Sequence, residues 1–121
     1  MDERFHDILK KKIHILVSLG YDYSDKFPKD ERFGLISQLR RAIMSVMLNY
    51  VEGYARKREK VKLNFYEMSY GSLQESKYIL FFAFDRGWVE KVEYDKILEM
   101  ADEVGKMLWS TISLIEKKVN K

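Results

Sequence analysis

Arg41, Ser45, Asn49 and Glu52 recur at spacings of four, four and three along LRRAIMSVMLNYVEG. At 3.6 residues per turn this puts them on one face of a helix. Ser72 and Glu75, in the later run YGSLQE, would meet them if the two stretches pack as an antiparallel pair. Arginine beside a carboxylate forms a charge-assisted, bidentate pair. Glu52 or Glu75 in such a pocket could act as a general base, given a raised pKa and a reacting group within hydrogen-bond reach. The same residues serve as a buried or interfacial network that sets helix register and subunit orientation, since half-buried charges need partners and contribute specificity more than stability. The network is the preferred reading over a pocket or a solvated face. With no GxxxxGK, HExxH or GxSxG pattern, the chain is expected to be non-enzymatic and to hold no cofactor.

A second cluster follows at once. RKREKVK places five basic residues, Arg56, Lys57, Arg58, Lys60 and Lys62, and one acid within seven positions. Phosphate binding scales with the charges neutralised and weakens steeply with salt, so this run is the candidate nucleic-acid-binding surface, although a charged turn also serves plain solubility. Tyr54 and Tyr66 flank it and could stack on unpaired bases, or pack. His6 and His14 lie eight residues apart, about 12 Å of helical rise, too far to share one metal ion, and no Cys is present. No metal site is expected. Trp88 and Trp109 read as core or interface anchors.

The elements that position these groups are helices. Phe5, Ile8, Leu9, Ile13, Leu16 and Val17 form one amphipathic stripe, which should end near Gly20. YDYSDKFPKDER, with the only Pro, is the connector, and Asp30 is the expected N-cap of the second helix. Ile36, Leu39, Ile43, Val46 and Tyr50 then make a heptad-like seam. Gly53 marks the end of that helix. Leu63, Tyr66, Tyr70, Leu73, Leu80 and Phe84, with Phe65, Met68, Ser72, Ile79 and Phe82 beside them, give a third helix with a wide apolar stripe, wide enough for a subunit contact. Gly71 within it costs ~1 kcal/mol against Ala, which implies a close backbone approach. Gly87 sits like a C′ residue. Val92, Ile97, Met100, Ala101, Val104, Met107, Leu108, Ile112 and Ile115 define a fourth helix, acidic early and basic at Lys117, Lys118 and Lys121, in line with the helix dipole. Short connections between long helices predict an all-α, up-down-up-down antiparallel four-helix bundle, with residues 1–121 as a single domain.

Composition agrees. Of 121 residues, 46% are hydrophobic and 34% charged, with one Pro and six Gly, a balance for regular structure rather than disorder. The N-terminal segment carries acids and lacks a continuous apolar core, so no secretory signal is read, and no run approaches the ~18 apolar residues of a membrane span. A soluble, cytoplasmic protein is expected. The net charge of +3 hides an asymmetry: residues 1–62 carry 14 basic and 9 acidic side chains, whereas the remainder is net acidic.

FPKDERFGLISQLRRAIMSV-x-x-N-x-x-EG, followed by GSLQE, resembles the four-helix bundle family that includes the proteins encoded by intervening sequences of bacterial large-subunit ribosomal RNA genes. The resemblance spans roughly residues 27–119, and the first helix matches only in character. It carries onto Gln38, Leu39, Arg40, Arg41, Ala42, Ser45, Asn49, Glu52 and Gly53, and onto Gly71, Ser72, Leu73 and Glu75, which adds Arg40 to the network. Met47 stands where the family has proline and Val51 where it has a small residue, implying a straighter second helix. Tyr70 replaces a smaller or basic residue. The resemblance implies a homopentameric ring without established enzymatic activity. A related branch comprises accessory proteins of diversity-generating retroelements, which engage a reverse transcriptase and nucleic acid through basic surface. The expected function is an RNA- or DNA-associated accessory or scaffold factor; the alternative is a protein-partner adaptor, for example to a reverse transcriptase, that does not touch nucleic acid.

Overall fold

Asp2 starts the first helix by accepting the Phe5 N–H at 2.9 Å, satisfying one of the donors that a helix N-terminus leaves open. The computed structural model describes residues 2–120, so Lys121 lies outside the described residues, and contains four long helices and no strand among them: α1 (Glu3–Ser24), α2 (Ser37–Ala55), α3 (Glu59–Asp85) and α4 (Lys91–Val119). The fold is all-α, as the periodicity predicts.

One core joins the four helices. Leu9, Ile13 and Leu16 of α1, Leu39, Ile43 and Val46 of α2, Leu73 and Leu80 of α3, and Ala101, Val104 and Leu108 of α4 are essentially inaccessible. At roughly 25 cal/mol per Å² of apolar surface, each buried Leu or Ile contributes about 1.5–3 kcal/mol to the hydrophobic driving force. The seam read along the second helix is therefore its core face. Contacts near its two ends tie α1 to the other three helices: His6 reaches Tyr50 of α2, the buried Tyr23 hydroxyl donates to the Leu80 carbonyl of α3 at 2.7 Å, and Lys26, just past α1, pairs with Glu93 of α4 at 2.7 Å.

Several local expectations change. α1 does not stop near Gly20 but continues to Ser24, because Gly20 is a contact residue: a Cβ there would lie 2.5 Å from Ile43 Cδ1, so its absence lets α1 and α2 close together. Asp30 does not cap α2. It lies in a short 3₁₀ turn, Lys29–Glu31, and Glu31 caps the π-type turn Arg32–Ile36 that follows, its carboxylate accepting the Leu35 N–H at 3.1 Å, while α2 starts from that turn without a side-chain cap of its own. Gly71 has no neighbour within 4 Å of where a Cβ would stand, so the close approach expected there is absent. The close approach belongs to Gly53, where a Cβ would be 2.8 Å from the ring of Tyr66.

Gly87 fulfils its expected role at φ +78°, with Trp88 N–H bonding the Ala83 carbonyl and Gly87 N–H that of Phe84, a Schellman end to α3. Val92 and Met68 face outward rather than into the core. Trp88 packs at the core edge between Phe27 and Phe82, but Trp109 is 56% exposed beside Tyr70. α4 opens with a reciprocal capping box between Glu90 and Glu93 that the apolar pattern does not reveal.

Candidate functional site

The two polar clusters of the sequence meet different fates. Along the α2–α3 contact, Asn49 Nδ2 donates to the Ser45 carbonyl at 3.0 Å and to its Oγ at 2.8 Å, and Ser72 Oγ lies 2.9 Å from Ser45 Oγ. Ser76 Oγ donates to the Ser72 carbonyl at 2.8 Å, and the buried Ser69 donates to the Val46 carbonyl at 2.7 Å. This is a ladder of small hydroxyls, each satisfied, along a close helix pair. Ser69 and Ser76 belong to it although their spacing drew no attention in the sequence.

The charged members stand apart from that ladder. Arg40 turns back to the end of α1, donating to Ser24 Oγ at 2.8 Å and Asp25 at 2.6 Å with its guanidinium 4.9 Å from the Tyr21 ring centre. Glu52 pairs with Arg56, one turn on. Arg41 and Glu75 are exposed and form no ion pair among the described residues. The arginine–carboxylate pocket that would suit general-base chemistry is therefore not assembled around Ser45 and Asn49.

The basic cluster lies where α2 ends and α3 begins, and its five members divide by local geometry. Arg56 is held by Glu52 and lies over the Phe65 ring, 5.3 Å from its centre. Lys62 reaches back over the end of α2, donating to the carbonyls of Tyr54 at 2.9 Å and Gly53 at 3.3 Å, 5.6 Å from the Tyr54 ring centre. A cation on the last carbonyls of a helix satisfies open acceptors and complements the dipole. Lys57, Arg58 and Lys60 are exposed and enter no ion pair among the described residues. They are the cations available to a partner.

Folding adds to this end of the molecule what the sequence keeps distant. Lys118, in the last turn of α4, shares a cleft with Lys62 and Glu59 of α3 and His6 of α1, and Lys117 is its neighbour. The end therefore gathers cations from positions 57–62 and 117–118. Behind it stands an aromatic stack. Tyr66 is 1% exposed and its ring lies 5.6 Å from that of Tyr50, so it packs and cannot receive a base, whereas Tyr54 is half-exposed with its ring 4.8 Å from His6.

His6 is the unforeseen member of the site. Its Nδ1 hydrogen-bonds the Tyr50 hydroxyl, a contact between residues 44 apart that no local pattern announces. Burial first, and then nearby positive charge including Lys62, pushes the imidazole below its ordinary pKa. Burial likewise raises Tyr50 well above the usual phenol range and Tyr66 to about 12. Both shifts favour the neutral forms of the two partners, which the hydrogen bond between Nδ1 and the Tyr50 hydroxyl joins. His14 is exposed on α1. Among the described residues no three His, Asp or Glu side chains converge as metal ligands. No helix among them is long and apolar enough to cross a membrane.

The family model of the 23S rRNA-intervening sequence protein matches residues 7–110. A crystal structure of a protein of unknown function from the S23 ribosomal protein family of Bacteroides thetaiotaomicron is similar with a TM-score of 0.79 at 18% identity, covering 86% of this chain and 97% of that one. At that identity the likeness is one of fold. No curated protein matches the chain.

Proposed function

The chain belongs to the 23S rRNA-intervening sequence protein family, and from that premise we propose that it is a non-enzymatic, oligomeric helical-bundle factor that associates with nucleic acid, RNA first, through the basic end of the bundle. The observation that carries this reading is the presence there of exposed Lys57, Arg58 and Lys60 beside a cleft lined by Lys118. Clustered cations without intramolecular partners suit phosphates, whose recognition releases counterions and is correspondingly salt-dependent.

The protomer reads as an up-down-up-down bundle, supported by contacts that put the start of α1 beside the end of α2 and the end of α1 beside the last turns of α3 and the start of α4. Assembly into a homopentameric ring would repeat the basic end five times around one rim and multiply a modest local charge. Exposed Arg41 and Glu75, with the Phe33 side chain 91% exposed and Leu48 60% exposed, suit contacts between copies, while Ser45, Asn49 and Ser72 fix the register of α2 against α3. A cytoplasmic setting fits an RNA partner.

Exposed Phe33 and Leu48 also favour a second reading, an adaptor for a protein partner such as a reverse transcriptase, with the basic end contacting acidic protein surface. Filter binding to structured RNA and to single-stranded DNA across a salt series separates the two. Salt-sensitive retention of either nucleic acid supports the first reading. Its absence with both would refute it.

A further inference from the structure

The cleft at the basic end has a volume of about 380 Å³, opens to solvent and is lined from all four helices, with His6 from α1, Tyr54 from α2, Glu59 and Lys62 from α3, and Leu114 and Lys118 from α4. That volume is at the small end of the ~300–1,000 Å³ typical of ligand sites, room for one small molecule rather than a peptide or duplex. We propose that this cleft is a single-nucleotide subsite that takes one unpaired nucleotide with an amino-bearing base. The inference deepens the nucleic-acid reading of the basic end by naming what that end grips.

The lining chemistry is mixed in a way that selects the ligand class. Lys118 offers an ammonium at the edge. Lys62 commits donors to the Tyr54 and Gly53 carbonyls, and an ammonium has three, so one N–H remains for an incoming oxygen. Lys118, the cation left uncommitted among the described residues, suits a phosphate, while the remaining Lys62 N–H suits a sugar or base oxygen. Glu59 and Glu3, on the same lining, would repel a bare phosphate or an acidic peptide, but they accept hydrogen bonds from the N–H groups of a base edge. A ligand that carries an anion at one end and N–H donors at the other satisfies both, and a nucleotide is such a ligand. Leu114 supplies the apolar wall.

Position supports the same ligand. Lys57, Arg58 and Lys60 bracket Glu59 in sequence, so phosphates held by these three cations would bring a neighbouring nucleotide to the cleft mouth. The Tyr50 hydroxyl occupies His6 Nδ1, which leaves Nε2 as the ring nitrogen that can hydrogen-bond a ligand at the site.

The test is a proton–nitrogen NMR titration of the full chain with CMP, UMP and inorganic phosphate, paired with strand binding over a salt series. CMP should shift the amides of residues 59–62 and 114–118 and bind about fivefold tighter than UMP, the factor that one additional hydrogen bond supplies, and more than about fivefold tighter than phosphate, which lacks sugar and base altogether. Lys118→Ala, on an exposed last turn remote from the core, should weaken CMP by a similar factor. Leu114→Trp should block CMP by filling the cleft with no change in charge. Equal effects of phosphate and CMP, or CMP binding indifferent to both variants, overturns the subsite. Salt-dependent strand binding with no CMP response in the cleft also overturns it and leaves the basic-end reading standing. CMP binding without any strand binding supports the subsite and refutes that broader reading.

Discussion

The division among the five basic residues of the α2–α3 turn makes a quantitative prediction. Exposed Lys57, Arg58 and Lys60, with Lys117 and Lys118 from α4, give five cations per chain available to phosphate. On single strands each phosphate neutralised contributes about 0.7 to the log–log salt slope, so wild type should approach a slope of about −3.5, losing about a hundredfold in affinity between roughly 50 and 200 mM salt. Replacing Lys57, Arg58 and Lys60 together by Ala should reduce the slope to about −1.4 and the loss to about sevenfold. Arg56→Ala with Lys62→Ala removes two charges against three. It should leave the slope nearly unchanged and lower the unfolding midpoint instead, because those side chains are occupied by Glu52 and by the end carbonyls of α2. Fluorescence anisotropy with a labelled single-stranded RNA at five or more salt concentrations reads the slope, and urea titration reads stability. If the double variant flattens the slope more than the triple one, the partition of free from engaged cations is wrong.

Two glycines in superficially similar helical settings should respond with opposite signs. Gly53→Ala drives a methyl into the buried ring of Tyr66, an overpacking cost of about 1–3 kcal/mol that exceeds the helix-propensity gain, whereas Gly71→Ala meets nothing and should stabilise by about 0.5–1 kcal/mol; urea midpoints decide both. His6 supplies a pH test. Its folded pKa lies below the ordinary value, so its contribution is fully present above about pH 6.5 and is lost as pH falls through that value towards the lower folded one. Wild type should therefore lose more stability than His6→Gln on acidification, and superimposable profiles would count against a neutral His6–Tyr50 pair. Arg41→Ala should loosen assembly while leaving the helical content intact; an oligomer of unchanged mass by light scattering would exclude Arg41 from the interface.

The helices were legible because burial of one face imposes a three- and four-residue period, and Leu39, Ile43, Val46 and Tyr50 announce themselves that way wherever their partners lie. The glycines were less legible, since one residue type has several uses. Gly20 looks like a helix stop and is a contact point against Ile43; Gly71 looks like a contact point and faces open space; only Gly87, with its positive φ, acts as its sequence setting implies. At the candidate site the basic run was visible. The sorting within it was not, because that depends on which side chains fall over the end of α2. Lys118 and His6 join the site through tertiary proximity alone, and nothing within a helical window connects either to position 59.

The polar face that first drew attention follows a physical division of labour by size. Serine at positions 45, 69, 72 and 76 is small enough for α2 and α3 to pack closely, and its short hydroxyl reaches a carbonyl or another hydroxyl across or along the pair. Long charged side chains cannot occupy that space without the desolvation cost of a buried ion, so Arg41 and Glu75 stay outside it. A surface organised in this way keeps register inside the protomer independent of the charges outside it. Substitutions at Arg41 or Glu75 can then alter association without moving α2 against α3, whereas loss of the Ser69 hydroxyl should act on the fold itself by about 1 kcal/mol. The regular spacing of Arg41, Ser45, Asn49 and Glu52 thus combines an inward constraint on helix approach with an outward set of charges, and the two can be separated by measuring stability and assembly on the same variants.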